Sequence, residues 1–330
     1  MASRLRSALA NRMSEATIVA AGVVVLVGIG GIAAGLALTS SGNKATAAAP
    51  SSTTASPAPP TTLAPLVPTT TDASILISDT CRYSHEANDD PILMPDQPGG
   101  AMAHDFFGNI TTSAVSTASA LVGGATSCST SEDASAYWTP VLYQNGQAIT
   151  PTRNLIYWSG LHATGPAVSV PPVGLEMIAG DESAMTPQST KVVGWRCASP
   201  LLQVVSATPV DCPGTNGLEL RVTFPSCWDG KALNGAAQTN VAYADGARCP
   251  AGYPVRIPTV IFHVVYPITS DTGLTLSMGP GQQGSTDTAH GDFINGWNQR
   301  VLAGLIEGCA GPARTCGHVT GASAAVHSRV

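Results

Sequence analysis

Short apolar runs separated by turn residues dominate the chain from residue 74 onward. The runs are rich in Val, Ile, Tyr and Trp and alternate with clusters of Gly, Pro, Asn and Asp, a pattern typical of β-strands. The runs predicted as strands are residues 137–143, 155–158, 175–179, 192–197, 201–205, 218–224, 255–266 and 274–278.

A helical period appears convincingly once, near the C-terminus. There the apolar positions form one stripe, a capping residue precedes them and a glycine is predicted to close the helix: the stripe is Trp297, Val301, Leu302, Leu305 and Ile306, the cap Asn295 and the glycine Gly308. The predicted fold class is therefore mainly β, a β sandwich or jelly-roll-like domain with long disulfide-pinned loops and one C-terminal helix.

A long apolar stretch near the N-terminus predicts how the chain is placed in the cell. Residues 18–38 are uncharged and mostly apolar, and a helix of that length spans about 31 Å, enough for a bilayer core. Arg4, Arg6 and Arg12 precede the stretch, so residues 1–17 are predicted to be cytoplasmic and the rest extracytoplasmic. We expect an uncleaved, single-pass signal anchor in the cell membrane, with a cleaved signal peptide as the alternative.

Two further segments follow the predicted anchor. Residues 39–73 are almost wholly Ala, Ser, Thr and Pro without an apolar period, which predicts a disordered stalk. Residues 74–330 form the predicted extracytoplasmic β domain. All eight cysteines lie in it: Cys81, Cys128, Cys197, Cys212, Cys227, Cys249, Cys309 and Cys316. An even number in an exported domain predicts disulfides, with Cys309–Cys316 as a plausible local loop and the other pairings open.

The charge balance bears on the partners. From residue 72 onward there are 11 Lys and Arg against 20 Asp and Glu, a net charge of −9. An acidic surface repels phosphate backbones, and no basic run interleaved with aromatic residues is present in this region. We therefore expect no nucleic-acid partner.

Three segments combine histidine, carboxylate and aromatic residues. They are residues 103–109 (AHDFFGN), 224–230 (FPSCWDG) and 289–297 (AHGDFINGW). In the third, His290 and Asp292 are two positions apart, so on an extended segment their side chains point to the same side. That arrangement suits either metal ligation or an acid/base pair, whereas Asp292 as a mere helix cap is the structural alternative.

The order of these segments resembles a known family. Asp90-Pro91, HDFFGN, Tyr137-Trp138, FPSCWDG, Val241-Ala242-Tyr243 and the His290-x-Asp-Phe run together are similar to the domain of unknown function nineteen ninety-six, over roughly residues 81–316. This exported family occurs in fungi and actinobacteria, and its fungal members often carry WSC modules linked to cell-wall glycans. The resemblance implies an envelope or polysaccharide setting without an assigned reaction.

The chain departs from the family pattern at two positions. The family pattern at the first segment resembles H-x-H-D-F, and Met102 stands here in place of its first histidine. Asn240 stands in place of a second family histidine. If those histidines share a polar site with His104, His290 and Asp292, two of five members are missing here. Met and an Asn amide are poor partners for a hard or borderline ion, so a metal site would be weakened.

These observations lead to three functional hypotheses. The first is a cell-envelope protein acting on or binding wall polysaccharide, for example as a hydrolase with one carboxylic acid and one carboxylate, and without a metal or other cofactor. The second is a non-catalytic wall-binding or scaffold module, and the third is a His/Asp metal-binding domain. The predicted catalytic residues are His104, Asp105, Asp229, His290 and Asp292, with Asp133 a further candidate carboxylate. The predicted substrate-binding residues are Tyr137, Trp138, Trp228, Asn240 and Trp297.

Overall fold

The computed structural model describes residues 77–161, 168–201, 204–246, 248–310 and 317–318. All of them belong to one compact unit, Pro68–Val330. Among these residues no helix has the length and apolarity needed to cross a membrane. The predicted anchor (18–38) and stalk (39–73) lie outside the described residues.

The described chain is mainly β, as the sequence predicts. In chain order the strands are β1 (Ile77–Ala87), β2 (His104–Gly108), β3 (Ala136–Pro140), β4 (Leu142–Gln144), β5 (Gln147–Ala148), β6 (Arg153–Ser159), β7 (Glu176–Gly180), β8 (Val193–Cys197), β9 (Leu218–Thr223), β10 (Cys227–Trp228), β11 (Val241–Ala242), β12 (Val255–Arg256), β13 (Thr259–Tyr266), β14 (Leu274–Gly279), β15 (Gln282–Gly284), β16 (His290–Ile294) and β17 (Gly317–His318). The helices are α1 (Ala118–Leu121), α2 (Gln299–Ala310) and a 3-10 turn at Thr286–Thr288.

Strand β1 joins the two large sheets. Its first half, Ile77 to Arg82, pairs with β6, and its second half, from Tyr83 to Ala87, pairs with β2 across an irregularity in register. The first sheet thus has the order β7-β16-β3-β2-β1, and the second sheet has the order β1-β6-β13-β9-β8. Strand β17 adds to β1 in parallel, and all other pairs are antiparallel.

The two large sheets pack face to face. Tyr137 on β3 contacts Phe262 on β13 with ring centroids 5.5 Å apart, and Phe293 on β16 lies 5.8 Å from Trp158 on β6. Two smaller sheets, β11-β10-β12 and β15-β14-β4-β5, complete the domain. The prediction of a β sandwich is confirmed, with antiparallel sheets that nearly close into a barrel.

A second, smaller core covers the outer face of the first sheet. Side chains alternate along a strand, so residues facing away from the sandwich need their own cover. Phe106, Trp138, Ile178 and Ile294 form this outer cluster together with Ile92 from the segment that precedes β2. The outer face of the first sheet is therefore buried, and polar groups on it are cut off from water.

Most strand predictions are confirmed, and the exceptions have physical reasons. The predicted strand 201–205 lies partly outside the described residues; of those described, Leu201 and Val204 are 86% and 85% exposed and belong to no strand. The run 255–266 is divided into β12 and β13, with Pro258, which lacks a backbone N–H, between them. The sequence pattern does not predict β1 or β2, because β1 is largely polar and alternates poorly.

The predicted C-terminal helix is present as α2, but its ends differ from the prediction. Asn298 rather than Asn295 caps it, with its Oδ1 accepting from the N–H groups of Arg300 (3.1 Å) and Val301 (3.4 Å). Asn295 instead donates through Nδ2 to the carbonyls of Pro171 and Pro172. Gly308 lies inside α2 and does not end it.

The cysteines of the described residues are oxidised, as the sequence predicts. Disulfides join Cys81 to Cys128, Cys197 to Cys212 and Cys227 to Cys249, and Cys309 is also disulfide-bonded. No free cysteine is present in the described part of the chain. The predicted Cys309–Cys316 loop includes a residue outside that part.

Candidate functional site

Three strands of the first sheet bring two histidines and a carboxylate together on its outer face. His290 and Asp292 lie on the same side of β16, as their spacing predicts, and His104 lies on β2. Strand β3 lies between them, with Trp138 opposite Asp292 in one ladder and Pro140 opposite His104 in the other. The rings of His104 and His290 are 5.8 Å apart and nearly perpendicular. We call His104, His290 and Asp292 the His–Asp cluster.

Backbone carbonyls fix the tautomer of both histidines. Nδ1 of His104 is 3.0 Å from the carbonyl oxygen of Asp89, and Nδ1 of His290 is 2.8 Å from that of Thr288. A carbonyl oxygen only accepts, so each Nδ1 carries the hydrogen and donates it. In the neutral rings each Nε2 therefore presents a lone pair.

The polar atoms at the centre of the His–Asp cluster have no hydrogen-bond partner. This holds for Nε2 of His104, Nε2 of His290 and both carboxylate oxygens of Asp292. Nε2 of His290 lies 3.6 Å from Oδ2 of Asp292, and donor atoms of all three residues lie within 4.8 Å of one another. Ligand atoms around a tetrahedral zinc ion are about 3.4 Å apart, given bonds of about 2.0–2.2 Å. The separations approach those of a metal site.

Burial disfavours the charged forms of all three side chains of the cluster. The three side chains are at most 1% exposed. Desolvation, followed by the neighbouring His290, lowers the pKa of His104 to about 3, and desolvation also lowers the pKa of His290. Desolvation, followed by the charges of Asp90 and Glu182, raises the pKa of Asp292 well above its ordinary value. At neutral pH both histidines thus present bare lone pairs.

A second carboxylate lies close to the cluster. Asp90 is 2% exposed, and its Oδ1 accepts from the N–H groups of Ile92 (2.8 Å) and Leu93 (2.9 Å). Its charge acts on both His290 and Asp292, and burial raises its own pKa. Asp90 is anchored by the segment that covers the outer face, so that segment also shapes the polar centre.

The other predicted catalytic residues lie elsewhere. Asp105 is the neighbour of His104 on β2 and therefore points to the opposite face of the first sheet. Asp229 closes a turn, with its Oδ1 accepting from the N–H groups of Lys231 and Ala232. Asp133 is buried and accepts from the hydroxyl of Tyr137 at 2.7 Å. Asp105, Asp133 and Asp229 are therefore not part of the His–Asp cluster.

The predicted substrate-binding residues are mostly packing residues. Tyr137, Trp138 and Trp297 are fully buried, so their rings are not available to stack on a sugar. Trp228 is half-buried and donates to the carbonyl of Ala232. Asn240 is buried beside β7 and donates through Nδ2 to the carbonyls of Glu176 and Leu233. A sugar-stacking role stays a prediction for Trp228.

Sequence reasoning missed the partners that orient the cluster. The carbonyls of Asp89 and Thr288 carry no residue-type signature, because every residue has one. Asp90 was visible in the Asp-Pro pair of the family pattern but had no assigned role. Oδ1 of Asp90 accepts from the backbone N–H groups two and three positions later, as in an Asx turn. Asp residues favour such turns, so this residue type is the local signal for a turn at Asp90.

A comparison with known families places the chain. A family model described as a domain of unknown function (DUF1996) matches residues 90–297, well over half of the chain. No curated protein and no solved structure gives a significant match. The matched range contains His104, His290 and Asp292 as well as Asp90. As the sequence resemblance predicts, the chain belongs to the DUF1996 family.

Proposed function

We propose that the domain binds a divalent transition-metal ion through Nε2 of His104, Nε2 of His290 and the carboxylate of Asp292. The observation that carries the proposal is the group of unpartnered donor atoms that converge on one buried point. Buried polar atoms in folded proteins nearly always have a partner, and each one left without a partner costs about 1–3 kcal/mol. A bound cation would satisfy all of them at once.

The chemistry of the donors favours zinc or a similar ion. Two imidazoles and one carboxylate suit Zn²⁺, Fe²⁺, Ni²⁺ or Cu²⁺, whereas Ca²⁺ and Mg²⁺ prefer oxygen ligands throughout. Metal-bound histidines commonly donate their other ring N–H to a backbone carbonyl, as His104 and His290 do. The carboxylates of Asp292 and Asp90 together could balance a charge of +2.

Metal analysis of the purified chain tests this proposal. Full-length protein without a histidine tag, dialysed against micromolar zinc and then against metal-free buffer, should retain about one zinc per chain by mass spectrometry of the elements. His290→Gln and Asp292→Asn should each weaken zinc binding at least about tenfold, because a ligand is lost.

A matched control is available on the same sheet. His85 is half-buried on β1, and both of its ring nitrogens are partnered, one by Ser84 and one by the carbonyl of Thr112. His85→Gln should therefore keep the zinc content of the parent chain. If the parent chain retains none of zinc, copper, nickel, cobalt or iron, the cluster holds only water and the proposal is wrong.

Action on wall polysaccharide is the second candidate function, and the family resemblance motivates it. The acid/base pairs suggested by the sequence do not gain support, since Asp292 and Asp105 face opposite sides of the first sheet. Co-sedimentation of the chain with insoluble wall glycan, followed by an assay for released reducing ends, would separate binding from hydrolysis. Absence of both would rule out this function.

A further inference from the structure

A row of oxygen-bearing side chains crosses the inner face of the first sheet, opposite to the His–Asp cluster. Asp105 on β2 pairs directly with Glu86 on β1 and with Thr139 on β3. Directly opposed residues of antiparallel strands share a face, with Cβ atoms about 4.5–5.5 Å apart. Two carboxylates and a hydroxyl therefore lie side by side. We call Glu86, Asp105 and Thr139 the carboxylate row.

The buried members of this row have unpartnered oxygen atoms. Oδ2 of Asp105 and Oγ1 of Thr139 accept and donate no hydrogen bond, although the residues are 1% and 0% exposed. The hydroxyl of Tyr266, at the end of β13, is also buried and lies within reach of the Thr139 hydroxyl. Desolvation, followed by the charge of Asp105, raises the pKa of Tyr266.

The carboxylate row opens to solvent at Glu86. Glu86 is exposed, and Tyr83 on β1 and Tyr143 on β4 are partly buried. After desolvation, the charges of both Asp105 and Glu86 raise the pKa of each of these two tyrosines. Because Glu86 is exposed, an ion could enter the carboxylate row from this side.

The carboxylates of Asp105 and Glu86 face each other across two neighbouring strands, which is unfavourable when both are charged. Carboxylates in directly opposed positions destabilise a sheet, and Asp105 is in addition almost fully desolvated. Within the described residues no Lys, Arg or His forms an ion pair with either carboxylate. A cation between the two carboxylates would remove the repulsion and give the unpartnered oxygens a ligand to hold.

We propose that Asp105 and Glu86, assisted by the hydroxyls of Thr139 and Tyr266, form a second cation site that binds a hard divalent ion, Ca²⁺. The donors are all oxygen atoms, which Ca²⁺ prefers and which differ from the imidazole-containing His–Asp cluster. Two carboxylates balance its charge. Water completes the coordination, because Ca²⁺ takes about six to eight oxygen ligands. The expected affinity is that of extracellular calcium modules, with a Kd of about 10⁻⁴–10⁻³ M.

Calcium titration of the full-length chain tests the site. The chain is treated with chelator, kept in mild detergent and titrated with CaCl₂ in a calorimeter, while thermal unfolding is followed in parallel. We expect one calcium ion per chain and a rise in Tm through the millimolar range, because a ligand that binds only the folded state stabilises it. NaCl of the same ionic strength should not raise Tm to the same extent.

Three variants test whether calcium binds at the carboxylate row. Asp105→Asn should fold, since an amide resembles the protonated acid, and should abolish the calcium-dependent rise in Tm. Glu86→Gln should raise the Kd for calcium at least about tenfold, because one of two charged ligands is lost. Glu307→Gln, which removes an exposed carboxylate from α2, should leave the titration unchanged.

The outcomes are distinct from those of the zinc experiment. His290→Gln should lose zinc and keep the calcium response, because the two sites lie on opposite faces of the first sheet. The proposal is overturned if the parent chain binds no calcium by calorimetry. It is overturned equally if the calcium response persists unchanged in Asp105→Asn and Glu86→Gln. If the parent chain binds no calcium, ordered water is the partner of these oxygens.

Discussion

Individual buried polar residues in this domain differ in whether the protein itself supplies a partner. His263 on β13 is 5% exposed and its Nδ1 lies 2.6 Å from Oε1 of Glu219, so it is a core histidine with a partner. His104 and His290 are just as buried, but their Nε2 atoms have no partner. Sequence pattern predicts the burial of a histidine; it does not predict which neighbouring strand will supply an acceptor.

The buried acid Asp133 should make stability depend on pH. Desolvation, followed by the charge of Asp79 on β1, raises the pKa of Asp133 to about 8, while its Oδ2 accepts from Tyr137. The unfolded carboxyl has a pKa near 3.9, so between about pH 4 and pH 8 the folded chain holds a proton that the unfolded chain releases. The resulting stabilisation is complete below about pH 4 and is lost as the pH rises towards 8.

Asp133→Asn should remove most of this dependence. We expect the free energy of unfolding of the parent chain to fall by up to about 1.4 kcal/mol per pH unit through this window, and that of the variant to fall much less. A residual slope should remain, because burial also raises the pKa of Asp79. Urea unfolding at several pH values measures both slopes, with Asp271→Asn, an exposed acid, as the control. Parallel pH profiles for variant and parent would contradict the assignment.

At the scale of single strands, local geometry and strand order together determine where the residues of the candidate site lie. The alternation His290-Gly291-Asp292 correctly predicts that the side chains of His290 and Asp292 share one face of β16, since that rule depends only on local strand geometry. The sequence does not predict that β3 is placed between β16 and β2, because strand order depends on long-range pairing. Nor does it predict the turn of β1 from one sheet to the other, as that strand has little apolar pattern.

Gly291 should be essential to the position of β16. A Cβ at this position would lie 3.1 Å from two ring carbons of Phe262 and 3.3 Å from Cγ1 of Val222, closer than ordinary packing allows. Gly291→Ala should lower the free energy of unfolding by about 1–3 kcal/mol through overpacking. It should also weaken zinc binding, because His290 and Asp292 flank this position and move with the strand.

A matched glycine variant controls for the loss of backbone freedom. Gly279 ends β14, and a Cβ there would meet nothing closer than 3.6 Å. Gly279→Ala should therefore leave unfolding by urea and zinc content close to those of the parent chain. If Gly291→Ala behaves in the same way as Gly279→Ala, the close approach of β16 to the second sheet does not limit the site.

At the scale of the whole molecule, composition and cysteine count predict that disulfides form, but they do not predict which cysteines pair. An even number of cysteines in a mainly β, weakly charged domain indicates disulfides, and the fold class and family follow from strand pattern and motif order. The partner of each cysteine could not be predicted, because disulfide pairing depends on the path of the loops. Cys81 and Cys128, for example, form a disulfide although they are 47 positions apart. Likewise, the sequence motifs single out His104, His290 and Asp292 together with Asp105 and Asp229 as candidate site residues. Only the folded sheet shows that the first three lie together and that Asp105 and Asp229 lie elsewhere.

The cysteines should also be oxidised in the protein as it is isolated from cells. The predicted export of residues 74–330 and the disulfides of the described chain both imply an oxidising compartment. Full-length protein isolated from cells and denatured without reductant should give no reaction of its eight cysteines with a maleimide probe, and full reaction after reduction. Extensive labelling without reductant would place the domain in a reducing compartment.

The path of β1 also has a mechanical consequence. The chain enters the described domain at Ile77, and from there β1 is bonded along its first half to β6 on one side and, at its start, to β17 on the other. Tension applied through the preceding segment would act along the strand axis, so that many backbone bonds would have to break together instead of one after another. A domain held by a tether at this end would resist being pulled apart.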